Sequence, residues 1–244
     1  MLSDKKLNAE LFSAIANKKI FFGHKSVGNN IIQGINDIAL KNNTKLNILE
    51  YTDREHFDYG GNGLFHRKIG ENRDPKSKID EFKSILLKDS LGKNIDIALL
   101  KLCYVDVNQS TDIQNLFSYY QTTIDEIKLT YPQLVIVHST VPLTVHAVSL
   151  KQRIKLLLMG DVDNVKRNHY NALLRRAYQK KEPLFDIAAA ESTYPDGKKS
   201  LFSYRGDKYE SLVKMYSNDG GHLNDIGRKK VALHFLKMFV STGN

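Results

Sequence analysis

Two short segments, near opposite ends of the chain, hold the residue types that could do chemistry. The first is Gly23-His24-Lys25-Ser26-Val27-Gly28, directly after the apolar run Ile20-Phe21-Phe22. A serine between a strand and a helix is well placed as a nucleophile, because nearby backbone N–H groups at the helix N-terminus can stabilise an oxyanion. The second is Ser217-Asn218-Asp219-Gly220-Gly221-His222-Leu223-Asn224. Its two intervening glycines let one loop present an imidazole with a carboxylate behind it. That carboxylate can fix the ring tautomer while the imidazole takes a proton from a hydroxyl. Each segment also has a plainer reading. Ser26 could simply cap the following helix. The second segment could be a polar turn, with Asn224 or Asp225 as its cap.

Two other reactions fit less well. Lys25-Ser26 matches the end of a phosphate loop, but Lys19 and His24 stand where that pattern needs glycines, so the backbone cannot wrap a phosphate. The elbow Gly-x-Ser-x-Gly is half met, with His24 in place of its first glycine.

The elements that must position these residues alternate. Candidate strands cover 20–22, 46–51, 95–102, 134–137 and 184–187. Candidate helices cover 4–17, the stretch carrying Ile31, Ile32, Ile35 and Ile38, then 76–88, 111–129, 164–180 and 225–240. Such alternation predicts a three-layer α/β/α domain with a five-stranded parallel sheet. Residues 52–75 read as one long polar loop. The chain reads as a single domain over 1–244, with 1–17 as a helical extension. Ligands in such sheets bind at the carboxyl ends of the strands, which directs attention to 23–28, 52–75, 103–109, 138–146 and 188–224.

Serine after the first strand and Asp-x-x-His before the last helix, on this element order, resemble the SGNH (GDSL-like) hydrolase superfamily. The match runs from Phe21 to about Phe239 and rests on Ser26 with Gly28 and on Asp219 with His222. The resemblance implies a flavodoxin-like fold and an ester hydrolase working through Ser26, His222 and Asp219 and an acyl-enzyme. An acyltransferase is the close variant. Substrates would be O-acetylated carbohydrates or other small esters. The oxyanion hole it implies uses the Ser26 N–H, a loop glycine (Gly70, or else Gly63) and an asparagine. In the family's Gly-x-Asn-Asp block this chain reads Cys103-Tyr104-Val105-Asp106, so a divergent subfamily is implied. Asn72, Asn108 or the Tyr104 hydroxyl could replace the missing asparagine. His66, Tyr104, Asp106 and His138 are candidates to line a substrate cleft. For His138, as for His24, the plainer role is a structural hydrogen bond.

Composition narrows the alternatives. Lys and Arg number 36 against 27 Asp and Glu, a net charge of +9. The basic residues are scattered over apparent amphipathic helices, so a solvated basic surface is expected and a nucleic-acid groove is not. A non-catalytic protein of the same fold, binding a carbohydrate or polyanion, is the second reading. The single cysteine, Cys103, excludes an intrachain disulfide and any cysteine-rich zinc site. With a histidine it could in principle act as a thiol nucleophile, although a lone cysteine at a strand end is more often buried and inert. No histidine pattern calls for a metal, and no cofactor is expected. No run approaches the roughly 18 apolar residues of a membrane span. As written the sequence reads as cytoplasmic; a chain trimmed of an export signal would read the same. The acyl group, the alcohol and the oligomeric state leave no sequence signal.

Overall fold

The computed structural model describes residues 10–52, 61–146 and 162–241. Its centre is a six-stranded, all-parallel sheet in the order β2-β3-β1-β4-β5-β6. The strands are β1 (Lys19–His24), β2 (Ile48–Glu50), β3 (Gly63–Lys68), β4 (Ile97–Leu100), β5 (Val135–Ser139) and β6 (Leu184–Phe185). The central strand β4 is buried at all four positions, as a strand covered on both faces must be.

The period-two alternation of β1 sorts the core into two layers. Ile20 and Phe22 face a cluster shared with residues 11–15, helix α1 (Val27–Lys41) and the last helix, α6 (Asp225–Ser241). Phe21 faces the other cluster, built on α2 (Pro75–Leu87), α3 (Ile113–Thr130) and α4 (Val162–Tyr178). The two helices that flank the serine and the Asp-x-x-His loop therefore share one layer. They pack closely: a Cβ on Gly34 would stand 2.4 Å from the Arg228 carbonyl oxygen and 2.8 Å from the Ala232 Cβ. Asp37 and Arg228 pair across the same seam at 2.8 Å.

The sheet differs from the five strands expected. The sixth, β3, lies inside the stretch read as a polar loop. Its sequence, Gly-Leu-Phe-His-Arg-Lys, has only two apolar side chains in its first half, so the alternation is hidden by polar residues. Part of that stretch, 53–60, and the start of the expected 4–17 helix lie outside the described residues. Residues 10–16 are helical, and Leu11, Phe12 and Ile15 are buried in the core. The segment after β6 is also more structured than expected. It holds α5 (Ile187–Glu191) and an antiparallel hairpin, β7 (Leu201–Tyr204) with β8 (Asp207–Glu210). Among the described residues no helix is long and apolar enough to cross a membrane.

Candidate active site

Ser26 sits in the two-residue turn between β1 and α1, with φ 54° and ψ −111°. A non-glycine residue in this region costs on the order of 1–3 kcal/mol and persists only where its surroundings enforce it. Its side chain makes no capping bond to α1. The helix-cap reading therefore does not hold. Instead Ser26 Oγ lies 2.6 Å from His222 Nε2.

The loop that carries His222 is tied down from within. His222 Nδ1 lies 2.7 Å from Asp219 Oδ2. Asp219 Oδ1 accepts from the Gly221 N–H at 2.9 Å, the His222 N–H at 2.8 Å and the Ser217 hydroxyl at 3.1 Å. The Gly220 N–H donates to Ser217 Oγ at 2.9 Å. Asn224 caps α6, its Oδ1 accepting from the N–H groups of Ile226 and Gly227. The cap and the Asp-His pair are thus compatible features of one loop. Asn30, in the first turn of α1, accepts from the Leu223 N–H at 3.2 Å and joins the two segments directly.

With Nδ1–H donated to Asp219, Nε2 is left as an acceptor for the serine hydroxyl. Desolvation pushes the Asp219 carboxyl upward, but the Gly221 N–H, the His222 side chain and the His222 N–H outweigh it. The net effect holds Asp219 well below the usual carboxylate range. The side chains of Asp219 and His222 are 57% and 47% exposed, so this is an open site at the sheet's carboxyl edge.

No family model matches the chain, and no curated protein matches it in sequence. Solved structures do match in shape. A protein described as an acylhydrolase from Bacteroides fragilis has a TM-score of 0.56 at 13% identity, covering 99% of this chain and 96% of that one. A lipase/acylhydrolase from Enterococcus faecalis has a TM-score of 0.54 at 12% identity, covering 92% and 96%. An acetyl xylan esterase has a TM-score of 0.50 at 21% identity, covering 90% and 98%. The chain shares the three-layer α/β/α fold of these structures.

The expected oxyanion glycines are not available as donors. Gly63 opens β3 at the far end of the sheet, and its N–H donates to the Lys18 carbonyl at 2.8 Å. The Gly70 N–H donates to Glu81 Oε2 at 2.7 Å. Asn72 is placed differently. Its Oδ1 accepts from Lys78 Nζ at 3.1 Å, which fixes the amide and leaves its NH₂ without a protein acceptor among the described residues. Lys78 is fully buried and pairs with Asp106 at 2.5 Å. Asn108 is occupied in the turn before α3, where its Oδ1 accepts from the Ser110 N–H and hydroxyl.

Asp106 is not a cleft residue. It is 1% exposed and accepts from Lys78, from the Cys103 N–H at 2.6 Å and from the Arg73 N–H at 2.9 Å. It is a buried clamp that holds the loop bearing Asn72 against the end of β4. Cys103 is equally buried. Its Sγ donates to the Lys25 carbonyl at 3.4 Å, under the serine turn, and receives Lys101 Nζ at 3.7 Å. Among the described residues no histidine pairs with this thiol, as the thiol-nucleophile alternative would need.

His138 is fully buried in β5 and does not line a cleft. Its Nε2 lies 3.0 Å from Glu182, its Nδ1 2.8 Å from the Tyr120 hydroxyl, and its ring stacks on Tyr178 at 3.4 Å. Burial lowers its pKa to about 4, against the opposing pull of Glu182. His66 is half-buried in β3 and bonds to His24 Nε2 at 3.1 Å rather than to the Ser26–His222 pair. His24 is fully buried beneath Gly28 and, through desolvation and the charges of His66, Lys101 and Lys68, is neutral, with a pKa of about 2.

Tyr104 does belong to the site. Its ring meets the His222 ring edge-to-face, centroids 5.7 Å apart. Sequence reasoning missed Asn30, Ser217, Lys78 and Arg167. Arg167 did carry a signal: it shares the i, i+3, i+7 face of α4 with Tyr170 and Leu174, a charge at core spacing.

Proposed function

We propose that the protein is a serine ester hydrolase of the SGNH type, with Ser26 as nucleophile, His222 as general base and acid, and Asp219 as the residue that orients the imidazole. The observation that carries this reading is the unbroken hydrogen-bond chain from Ser26 Oγ through His222 to Asp219, at 2.6 and 2.7 Å. Both distances fall within the reach that proton transfer requires.

In the first step His222 Nε2 takes the Ser26 proton as Oγ attacks the ester carbonyl. The negative charge on the former carbonyl oxygen is met by the Ser26 N–H and the Asn72 amide. Asn72 takes the place of the family's asparagine, whose usual position is held by Val105. His222 then protonates the leaving alcohol, and the acyl group stays on Ser26. Finally His222 activates water, the acyl–oxygen bond breaks, and Ser26 regains its proton. Asp219 remains ionised throughout and stabilises the imidazolium.

An open, half-exposed pair suits an ester carried on a larger alcohol, and O-acetylated carbohydrate is the substrate class to test first. The same exposure would admit a second hydroxyl in place of water, which is the route to acyl transfer. Labelling by a fluorophosphonate probe, with a panel of aryl acetates and acetylated sugars run beside Ser26→Ala, tests the assignment. Labelling and turnover that depend on Ser26 support it. Equal turnover by Ser26→Ala overturns it and brings the non-catalytic reading forward.

A further inference from the structure

Tyr104 opens the 3₁₀ turn that follows β4, and three contacts define its surroundings. Its ring edge meets His222. It lies against the backbone of Gly221, where a Cβ would stand 2.7 Å from the ring's Cζ and 2.8 Å from its hydroxyl oxygen. The Arg167 guanidinium lies 5.7 Å from its centroid. Arg167 is 4% exposed, and its Nε donates to the Tyr104 carbonyl at 2.8 Å. Its Nη1 donates to Thr144 Oγ1 at 2.8 Å and to Asn164 Oδ1 at 2.9 Å. The next residue, Val145, donates its N–H to the Gly220 carbonyl at 2.8 Å. Arg167 therefore holds Tyr104 directly and reaches the Gly220–His222 loop through residues 144–145.

We infer that Tyr104 is a positioning residue whose ring, rather than its hydroxyl, keeps the His222 imidazole aimed at Ser26. The inference rests on the hydrolase reading above. The need for such a wall follows from exposure. With Asp219 and His222 about half exposed, water competes for the hydrogen bonds that orient the ring. A steric stop beside the imidazole removes rotations that open to the ring whenever water displaces one of them. The hydroxyl has no hydrogen-bond partner among the described residues. Burial, the Asp219 charge and the Cys103 thiol raise its pKa, against the opposing Arg167, so it stays a neutral phenol. The contact also accounts for glycine at 221, because a methyl group there would push the ring away.

The test uses the full-length protein and the ester with the highest turnover. Tyr104→Ala and Tyr104→Leu should lower kcat about 10- to 100-fold with KM within about threefold, the scale expected for a misplaced catalytic group. Tyr104→Phe should restore that loss. Gly221→Ala should cost as much as Tyr104→Ala, and the double variant no more than either alone, because both break one contact. Proton NMR gives a readout independent of turnover. The downfield His222 Nδ1–H resonance should persist in Tyr104→Phe and broaden by solvent exchange in Tyr104→Leu and Gly221→Ala. A folded Tyr104→Leu with wild-type kcat overturns the inference. So does a Tyr104→Phe as slow as Tyr104→Leu, which would put the hydroxyl on the substrate, or multiplicative losses in the double variant. If Tyr104→Ala fails to fold, the Phe, Leu and Gly221→Ala variants decide the matter. A wild-type protein that neither labels nor hydrolyses refutes the hydrolase reading instead, and the NMR comparison still tests the positioning.

Discussion

Glu191 should make the protein lose stability as the pH rises through neutrality. It ends α5, with its side chain fully buried; Oε2 accepts from the Leu143 N–H at 2.7 Å, and Oε1 has no hydrogen-bond partner among the described residues. Burial pushes its carboxyl up to about 8 from an ordinary 4.5, opposed by the Leu143 N–H and by the charges of Lys101 and Arg167. Between those two values the folded chain holds a proton that the unfolded chain has released. The sign follows from linkage: stability falls as pH rises wherever the native state binds more protons. The full separation of about 3.5 units corresponds to ~5 kcal/mol at about 1.4 kcal/mol per unit. Half of that would still lower Tm by roughly 5–10 °C in a chain of this size. Glu191→Gln keeps the shape of the protonated acid and cannot ionise. The assay is Tm by circular dichroism from pH 5 to 9 for both proteins. Wild type should fall relative to Glu191→Gln across pH 5–8, with the difference levelling off above about pH 8. A difference that stays constant over this range would refute the reasoning. It would mean that Glu191 is ionised in the folded state, paired with the fully buried Lys101.

The remaining expectations concern turnover and the supports of the site. Ser26→Ala should lower kcat on the order of 10⁶-fold, whereas Asp219→Asn should lower it about 10⁴-fold, measured on one ester in one buffer. Asn72→Ala should cost about 10²–10³-fold in kcat if its amide meets the oxyanion, and a loss under threefold would remove it from the hole. Asp106→Ala leaves Lys78 buried without its partner and should destabilise the fold by about 3–5 kcal/mol, read by urea unfolding.

The architecture was readable because its signals are local. Helix α1 announces itself by apolar spacing, and β4 by four consecutive apolar residues, whereas α6 carries little apolar periodicity and leaves Ile226, which its sequence offers as a core residue, exposed. Strand β3 was not readable, because it borrows its stability from pairing on both sides with β1 and β2 while half of its own residues are polar. The hairpin β7–β8 escaped for a related reason. Its ladder pairs Leu201 with Glu210 and Ser203 with Lys208, so one of its faces carries little apolar signal.

The site divides along the same line. Ser26, Asp219 and His222 stood out because each sits at a junction whose glycines and polar residues are legible in a few consecutive letters. The oxyanion donors did not, because whether an N–H group is free is decided by residues far away in the chain. Gly70 looks like a donor in sequence, yet Glu81, eleven residues on, occupies its N–H. Asn72 looks like an ordinary loop residue, yet Lys78 orients its amide, Asp106 pairs with Lys78, and Asp106 in turn holds the Cys103 N–H at the end of β4. The Cys103 thiol then reaches the carbonyl of Lys25, the residue before Ser26. One buried carboxylate thus links the loop with the proposed oxyanion amide to the turn with the proposed nucleophile. The aspartate that a motif comparison offers as a substrate contact holds the two parts of the site in register.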